Sequence, residues 1–112
     1  MPTDFSQHKD CWDRLSREDP LWAILSRDDK KGGRWDLSDF LSTGDQDVRR
    51  YVALLESTAE IPRSFEHLLD FGCGVGRLTL AWKPWAARAT GVDISETMIR
   101  QAQQLATGRE GI

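Results

Sequence analysis

Three glycines at alternate positions follow an apolar run in the stretch LLDFGCGVGRLTL, residues 68–80. Few folded elements tolerate this spacing, because each glycine weakens a helix or strand interior. A glycine has no Cβ, so Gly72, Gly74 and Gly76 can adopt positive φ and let a ligand lie close to the peptide groups. The pattern therefore predicts a tight turn that carries a binding function.

The C-terminal half of the chain alternates strand and helix patterns. The segment FEHLLDF predicts a buried parallel strand at about residues 66–71. A helix follows from about Gly74 to Trp82, and Pro84 ends it because the residue before a proline leaves the helical region. Next come a second strand in ARATGVDI and a second helix in SETMIRQAQQLA. This alternation favours an α/β layer with two parallel strands and a right-handed crossover.

The N-terminal half, residues 1–60, has helical patterns and is rich in tryptophan. Pro20 suits the first turn of a helix, and DDKKGG is typical of a surface loop. The best-patterned helix has apolar residues at helical spacing. These are Val48, Tyr51, Val52 and Leu55. Pro62 separates this helix from the first strand, so we divide the chain into a helical segment, 1–60, and an α/β segment, 61–112.

The second predicted strand ends in GVDI, which places Asp93 about 20 residues after Gly72. A carboxylate at this strand end can accept both ribose hydroxyls of a nucleoside. Asp93 could instead cap the next helix, but Ser95 suits that role better. The glycine pattern also departs from the dinucleotide fingerprint G-x-G-x-x-G, because Arg77 stands at its sixth position. A nucleotide-dependent oxidoreductase is therefore disfavoured.

The stretches LLDFGCGVGRLT and GVDISETMIRQA resemble the class I S-adenosylmethionine-dependent methyltransferases over about residues 66–106. The resemblance implies a partial Rossmann-like parallel sheet after an N-terminal helical segment. It implies that the glycines line the methionine moiety of the cofactor, S-adenosyl-L-methionine, and that Asp70 helps to hold its ammonium group. Asp93 then takes the ribose hydroxyls. Ile94 and Met98 flank adenine, although both could equally be core residues. The cofactor-binding residues expected from the resemblance are Asp70, Gly72, Cys73, Gly74, Gly76, Asp93, Ile94 and Met98.

The same resemblance implies an enzyme that methylates a small-molecule acceptor. The family fold has seven strands, and its catalytic residues mostly follow the fourth, so the catalytic residues are unknown here. We expect the chain to be the cofactor half of a longer methyltransferase. By analogy with the family, WDLSDFLSTG, residues 35–44, is expected to act as a lid. The alternative is a non-catalytic nucleoside-binding or partner module that completes its sheet with another chain.

Composition bounds the partners and the location. The net charge is −3, which argues against a nucleic-acid-binding surface. No apolar run approaches the ~20 residues of a membrane span, and the N-terminus lacks a signal-peptide pattern, so we expect a cytoplasmic protein with no membrane partner. Two cysteines and two histidines lack zinc-site spacing, so no metal is expected. Two parallel strands alone leave an exposed edge, which favours self-association.

Overall fold

The computed structural model describes residues 4–58 and 64–112. Seven helices and strands of these ranges matter for the site. They are α1 (Asp4–Glu18), α2 (Pro20–Ile24), α3 (Leu37–Ser57), β1 (Phe65–Phe71), α4 (Arg77–Ala81), β2 (Ala86–Val92) and α5 (Glu96–Ala106). Two predictions lie outside the described residues: the break at Pro62 and the boundary between residues 60 and 61.

Helices α2 and α3 each begin at a start signal in the sequence. Pro20 starts α2, as the sequence predicts, because an N–H in the first turn has no partner within the helix and proline lacks that group. Helix α3 begins at Leu37, well before the helically spaced residues Val48 to Leu55 that predicted it. The Asp36 carboxylate accepts from the Asp39 amide at 3.0 Å, and this N-cap extends the helix through most of WDLSDFLSTG. In the DDKKGG loop, the amides of Gly32 and Gly33 both donate to Asp19 Oδ2.

Strands β1 and β2 pair in parallel, with His67 opposite Arg88 and Phe71 opposite Val92. The order of strands and helices confirms the predicted α/β alternation. The structure has the predicted Rossmann-like arrangement, a parallel strand pair that follows an N-terminal helical segment. The crossover helix α4 is shorter than predicted. Gly76 has a φ of +92°, so the helix can begin only at the next residue. Ser95 caps α5 as predicted, because its Oγ accepts from the Met98 amide at 3.2 Å.

The hydrophobic core joins the two halves of the chain. Four buried residues form its centre: Trp35, Phe40, Val75 and Met98. The rings of Trp35 and Phe40 meet edge to face, with centroids 5.7 Å apart. Side chains of α1 and α2, including Trp12 and Ile24, pack against this cluster. The helical segment therefore packs directly on the glycine loop and α5.

One face of the sheet is open. Leu69 and Phe71, which alternate along β1, are 63% and 87% exposed. On the same face, His67 Nε2 and Thr90 Oγ1 form an exposed cross-strand hydrogen bond of 2.8 Å. In the described ranges, no helix is both long and apolar enough to cross a membrane.

Candidate cofactor-binding site

The glycine loop after β1 is fastened to the end of β2 by backbone hydrogen bonds. The amides of Gly72 and Cys73 both donate to the Val92 carbonyl, at 2.8 and 2.9 Å. Gly72, Gly74 and Gly76 all have positive φ, between 56° and 92°. A side chain at any of these positions would strain the backbone, so the alternating glycines are what allow this turn.

Asp93 completes the turn from the β2 side. Its Oδ2 accepts from the Gly74 amide at 2.8 Å, and its Oδ1 accepts from the Ser95 amide at 2.9 Å. The side chain is half-buried. A carboxylate has about four lone-pair sites, and these two amides use two of them. Asp93 can therefore still accept hydroxyl groups from a bound ligand while it holds the loop.

A cavity of about 610 Å³ opens at the carboxyl ends of both strands. Six of the eight predicted cofactor-binding residues line it. They are Gly72, Cys73, Gly74, Asp93, Ile94 and Met98. Phe71 and Val92 add to its apolar wall. Among the described lining residues there is one carboxylate and no lysine or arginine. The cavity therefore favours a largely apolar ligand with hydroxyl or cationic groups near Asp93.

Asp70 and Gly76 lie away from this cavity. The Asp70 carboxylate accepts a hydrogen bond of 2.7 Å from Oγ1 of Thr79 on α4. Gly76 is the N-cap of α4 and lines a smaller cavity of about 240 Å³ together with Thr79. Their contacts with the methionine moiety stay predictions. In this structure, Asp70 is hydrogen-bonded to α4 and Gly76 forms the N-cap of the same helix.

Cys73 lies buried between the two cavities. Burial, followed by the negative charges of Asp70 and Asp93, raises the pKa of its thiol to about 11. A thiol that stays protonated near neutral pH is a poor nucleophile. Cys73 therefore belongs to the packing of the loop.

The N-terminal wall of the cavity was not predicted from the sequence. Helix α1 contributes Phe5, His8 and Trp12, and α2 contributes Ile24. The first three recur at i, i+3 and i+7, which places them on one face of a helix, and this spacing was the available signal. Trp12 Nε1 donates to His8 Nε2 at 3.2 Å.

The predicted lid, residues 35–44, does not line the larger cavity. Trp35 and Phe40 belong instead to the core. Ile24 Cδ1 lies 3.0 Å from the place that a Cβ would take at Gly74, so α2 packs directly on the glycine loop. The elements closest to the cavity from the N-terminal half are therefore α1 and α2.

Arg77 is a structural residue at the start of α4. Its Nη1 donates to Asp47 Oδ2 at 2.8 Å and to Thr43 Oγ1 at 3.2 Å, both on α3. The hydrogen bond from Arg77, followed by that from Arg50, lowers the pKa of Asp47 despite partial burial. The arginine that replaces the third fingerprint glycine therefore joins α4 to α3. No cluster of three or more potential metal ligands occurs among the described residues.

A glycine-rich loop at the carboxyl ends of adjacent parallel strands is typical of Rossmann-like nucleoside-binding proteins, and this chain has that arrangement. Residues 68–111 match the protein family described as "Methyltransferase domain". This match and the relatives below confirm the resemblance to the class I S-adenosylmethionine-dependent methyltransferases seen in the sequence.

Two curated relatives are similar to the chain beyond this segment. Trans-aconitate 2-methyltransferase of Streptomyces avermitilis is 39% identical over 70 residues, which cover 61% of this chain and 26% of the relative. The protein of the same name from Streptomyces coelicolor is 33% identical over 79 residues, or 69% of this chain and 26% of the relative. The chain thus spans about a quarter of the length of these relatives.

A solved structure, the YcgJ protein from Bacillus subtilis, superposes with a TM-score of 0.42 and 28% identity. The superposition covers 57% of this chain and 27% of that one.

Proposed function

We propose that this chain is the cofactor-binding half of an S-adenosylmethionine-dependent methyltransferase that acts on a small-molecule acceptor. The observation that carries the proposal is the hydrogen bond from the Gly74 amide to the Asp93 carboxylate. It joins the glycine loop to the strand-end acid beside one cavity. The non-catalytic binding module is not favoured, because the relatives in the comparison are named as methyltransferases.

The chemistry of the cavity fits this cofactor. Asp93 offers free lone pairs for the two ribose hydroxyls, and Ile94 with Met98 offers an apolar surface for adenine. A dinucleotide would bring two phosphates, for which the described lining supplies no lysine or arginine. When bound, the cofactor supplies an electrophilic methyl group on a cationic sulfonium. The residues of this chain bind and orient it, and the aromatic residues of α1 form one wall of its cavity.

The acceptor is proposed only as a small molecule. Trans-aconitate, named for the two relatives, carries three carboxylates, and the described cavity lining has no lysine or arginine to pair with them. Acceptor recognition and catalytic groups therefore belong to other residues in this proposal. We also propose a cytoplasmic location, no nucleic-acid or membrane partner, and self-association through the exposed sheet edge, beside the open face described above.

The test is a titration of the ¹⁵N-labelled chain with S-adenosylhomocysteine, followed by NMR. We expect the amide signals of Gly72, Cys73, Gly74 and Ser95 to shift together with one dissociation constant. NAD, added at the same concentration, is the control and should leave these signals in place. Saturable shifts with NAD alone, or shifts confined to other residues, would contradict the proposal.

A further inference from the structure

Helix α1 is joined to the Asp93 turn by a hydrogen bond between residues far apart in the sequence. Ser95 Oγ donates to Asp13 Oδ1 at 2.5 Å. Ser95 is completely buried, and Asp13 is 8% exposed. The Ser95 amide in turn donates to Asp93. Ser95 therefore links Asp13 to Asp93, the predicted ribose-binding carboxylate, through two hydrogen bonds.

The Asp13 carboxylate is held in its ionised form. Lys9 Nζ lies 2.7 Å from its Oδ2, and the hydrogen bonds from Lys9 and Ser95 lower the pKa of Asp13 to about 2. A carboxylate with little exposure to water is costly unless it is paired and hydrogen-bonded. The contacts with Lys9 and Ser95 explain why an acid is tolerated at this buried position, and they hold its carboxylate in place.

A second contact sets the rotation of the helix. Gln101 Nε2 donates to the Ser16 carbonyl at 2.9 Å, one turn along α1 from Asp13. Asp13 and Ser16 therefore share the face of α1 that packs on α5. The adjacent face of α1 carries the cavity-lining residues Phe5, His8 and Trp12. Loss of the contact at Ser95 would remove one of the two hydrogen bonds described here that hold α1 against the Asp93 turn and α5.

We propose that Asp13 is a positioning residue for cofactor binding. Through Ser95 it holds α1 against the Asp93 turn, so that the aromatic face of α1 closes the cavity over the cofactor. The inference rests on the proposed function, because the cofactor product is the ligand used to test it. It extends that function to a residue that itself lies outside the cavity lining.

The first experiment compares two acid-to-alanine variants of the same helix. Asp13→Ala should weaken S-adenosylhomocysteine binding about tenfold in NMR titrations. Asp10→Ala is the matched control, because Asp10 is an exposed acid on α1, and it should stay within about twofold of wild type. Asp13→Asn keeps an oxygen for the Ser95 hydroxyl and should retain most of the affinity. If circular dichroism shows that Asp13→Ala is unfolded, Asp13→Asn takes its place. The quantity measured is then the affinity of Asp13→Asn for S-adenosylhomocysteine.

The second experiment separates positioning from a general structural effect. In a chain that already carries Trp12→Ala, adding Asp13→Ala should weaken binding by no more than about twofold, because the wall that Asp13 positions is already reduced. A purely structural role predicts the same tenfold loss in both backgrounds, and that result would overturn the proposal.

Hydrogen exchange of the wild-type chain gives a test that needs no variant. Ligand binding should slow the exchange of α1 amides as well as those of the glycine loop. Binding with no change in α1 would overturn the inference but leave the proposed function intact, as would equal affinity of Asp13→Ala and wild type. Failure of the wild-type chain to bind S-adenosylhomocysteine would instead overturn the proposed function, and this inference with it.

Discussion

The substitution Asp93→Ala tests the centre of the candidate site. In the structure, the carboxylate accepts from the amides of Gly74 and Ser95 and faces the cavity. Hydrogen bonds to a charged acceptor contribute about 1.5–3 kcal/mol. Alanine removes the acceptor for the ribose hydroxyls and releases the Gly74 amide from its position. We therefore expect the binding free energy of the cofactor to fall by about 1.5–3 kcal/mol, which raises the dissociation constant roughly tenfold to a hundredfold.

Calorimetric or NMR titration with S-adenosylhomocysteine measures this change. The matched control is Glu96→Ala, because Glu96 is an exposed acid in the first turn of α5, close to Asp93 in the sequence. Its carboxylate pairs only weakly with Arg100, whose Nη2 lies 3.7 Å away. The control should bind within about twofold of wild type. A dissociation constant for Asp93→Ala that equals that of the control, in a chain with unchanged circular dichroism, would remove Asp93 from the site and refute the reasoning.

Three further outcomes are expected. Gly44→Ala should lower the free energy of unfolding in urea by about 1–2 kcal/mol, because its Cβ would lie 2.5 Å from the Arg77 carbonyl oxygen and overpacking outweighs the helix-propensity gain of about 1 kcal/mol; a more stable variant would contradict this. Iodoacetamide at pH 8 should alkylate the exposed Cys11 before Cys73, whose pKa is raised to about 11, and equal rates by mass spectrometry would count against the burial of Cys73. Sedimentation should show a mass that rises with concentration and that falls for Leu69→Lys on the open sheet face, whereas a strict monomer would exclude self-association.

The α/β half of the fold could be predicted because its signals are local. An apolar run bounded by glycine gave β1 to within one residue of Phe65–Phe71. The cap at Ser95 fixed the start of α5. The length of α4 was overestimated because the helix was predicted to start at about Gly74, whereas Gly76 takes positive φ and excludes the preceding residues from the helix.

The N-terminal wall of the site could not be predicted by the same means. The spacing of Phe5, His8 and Trp12 shows that they share a face of α1, but it does not show which surface that face meets. The meeting is decided by contacts such as Asp13 with Ser95, which join distant parts of the chain. The expected lid at residues 35–44 followed family analogy, and in the structure Trp35 and Phe40 of that segment are buried in the core.

Val75 has a consequence for how this protein can change over evolution. Val75 lies between Gly74 and Gly76 of the glycine loop. It is also one of the four residues at the centre of the core, where it packs with Trp35 and Phe40 of the N-terminal half. Interiors this closely packed transmit a change of volume to their neighbours. Exchanging the N-terminal helices for those of a homologue would therefore displace the loop unless Val75 changed with them, and we expect compatible substitutions at these positions to be inherited together.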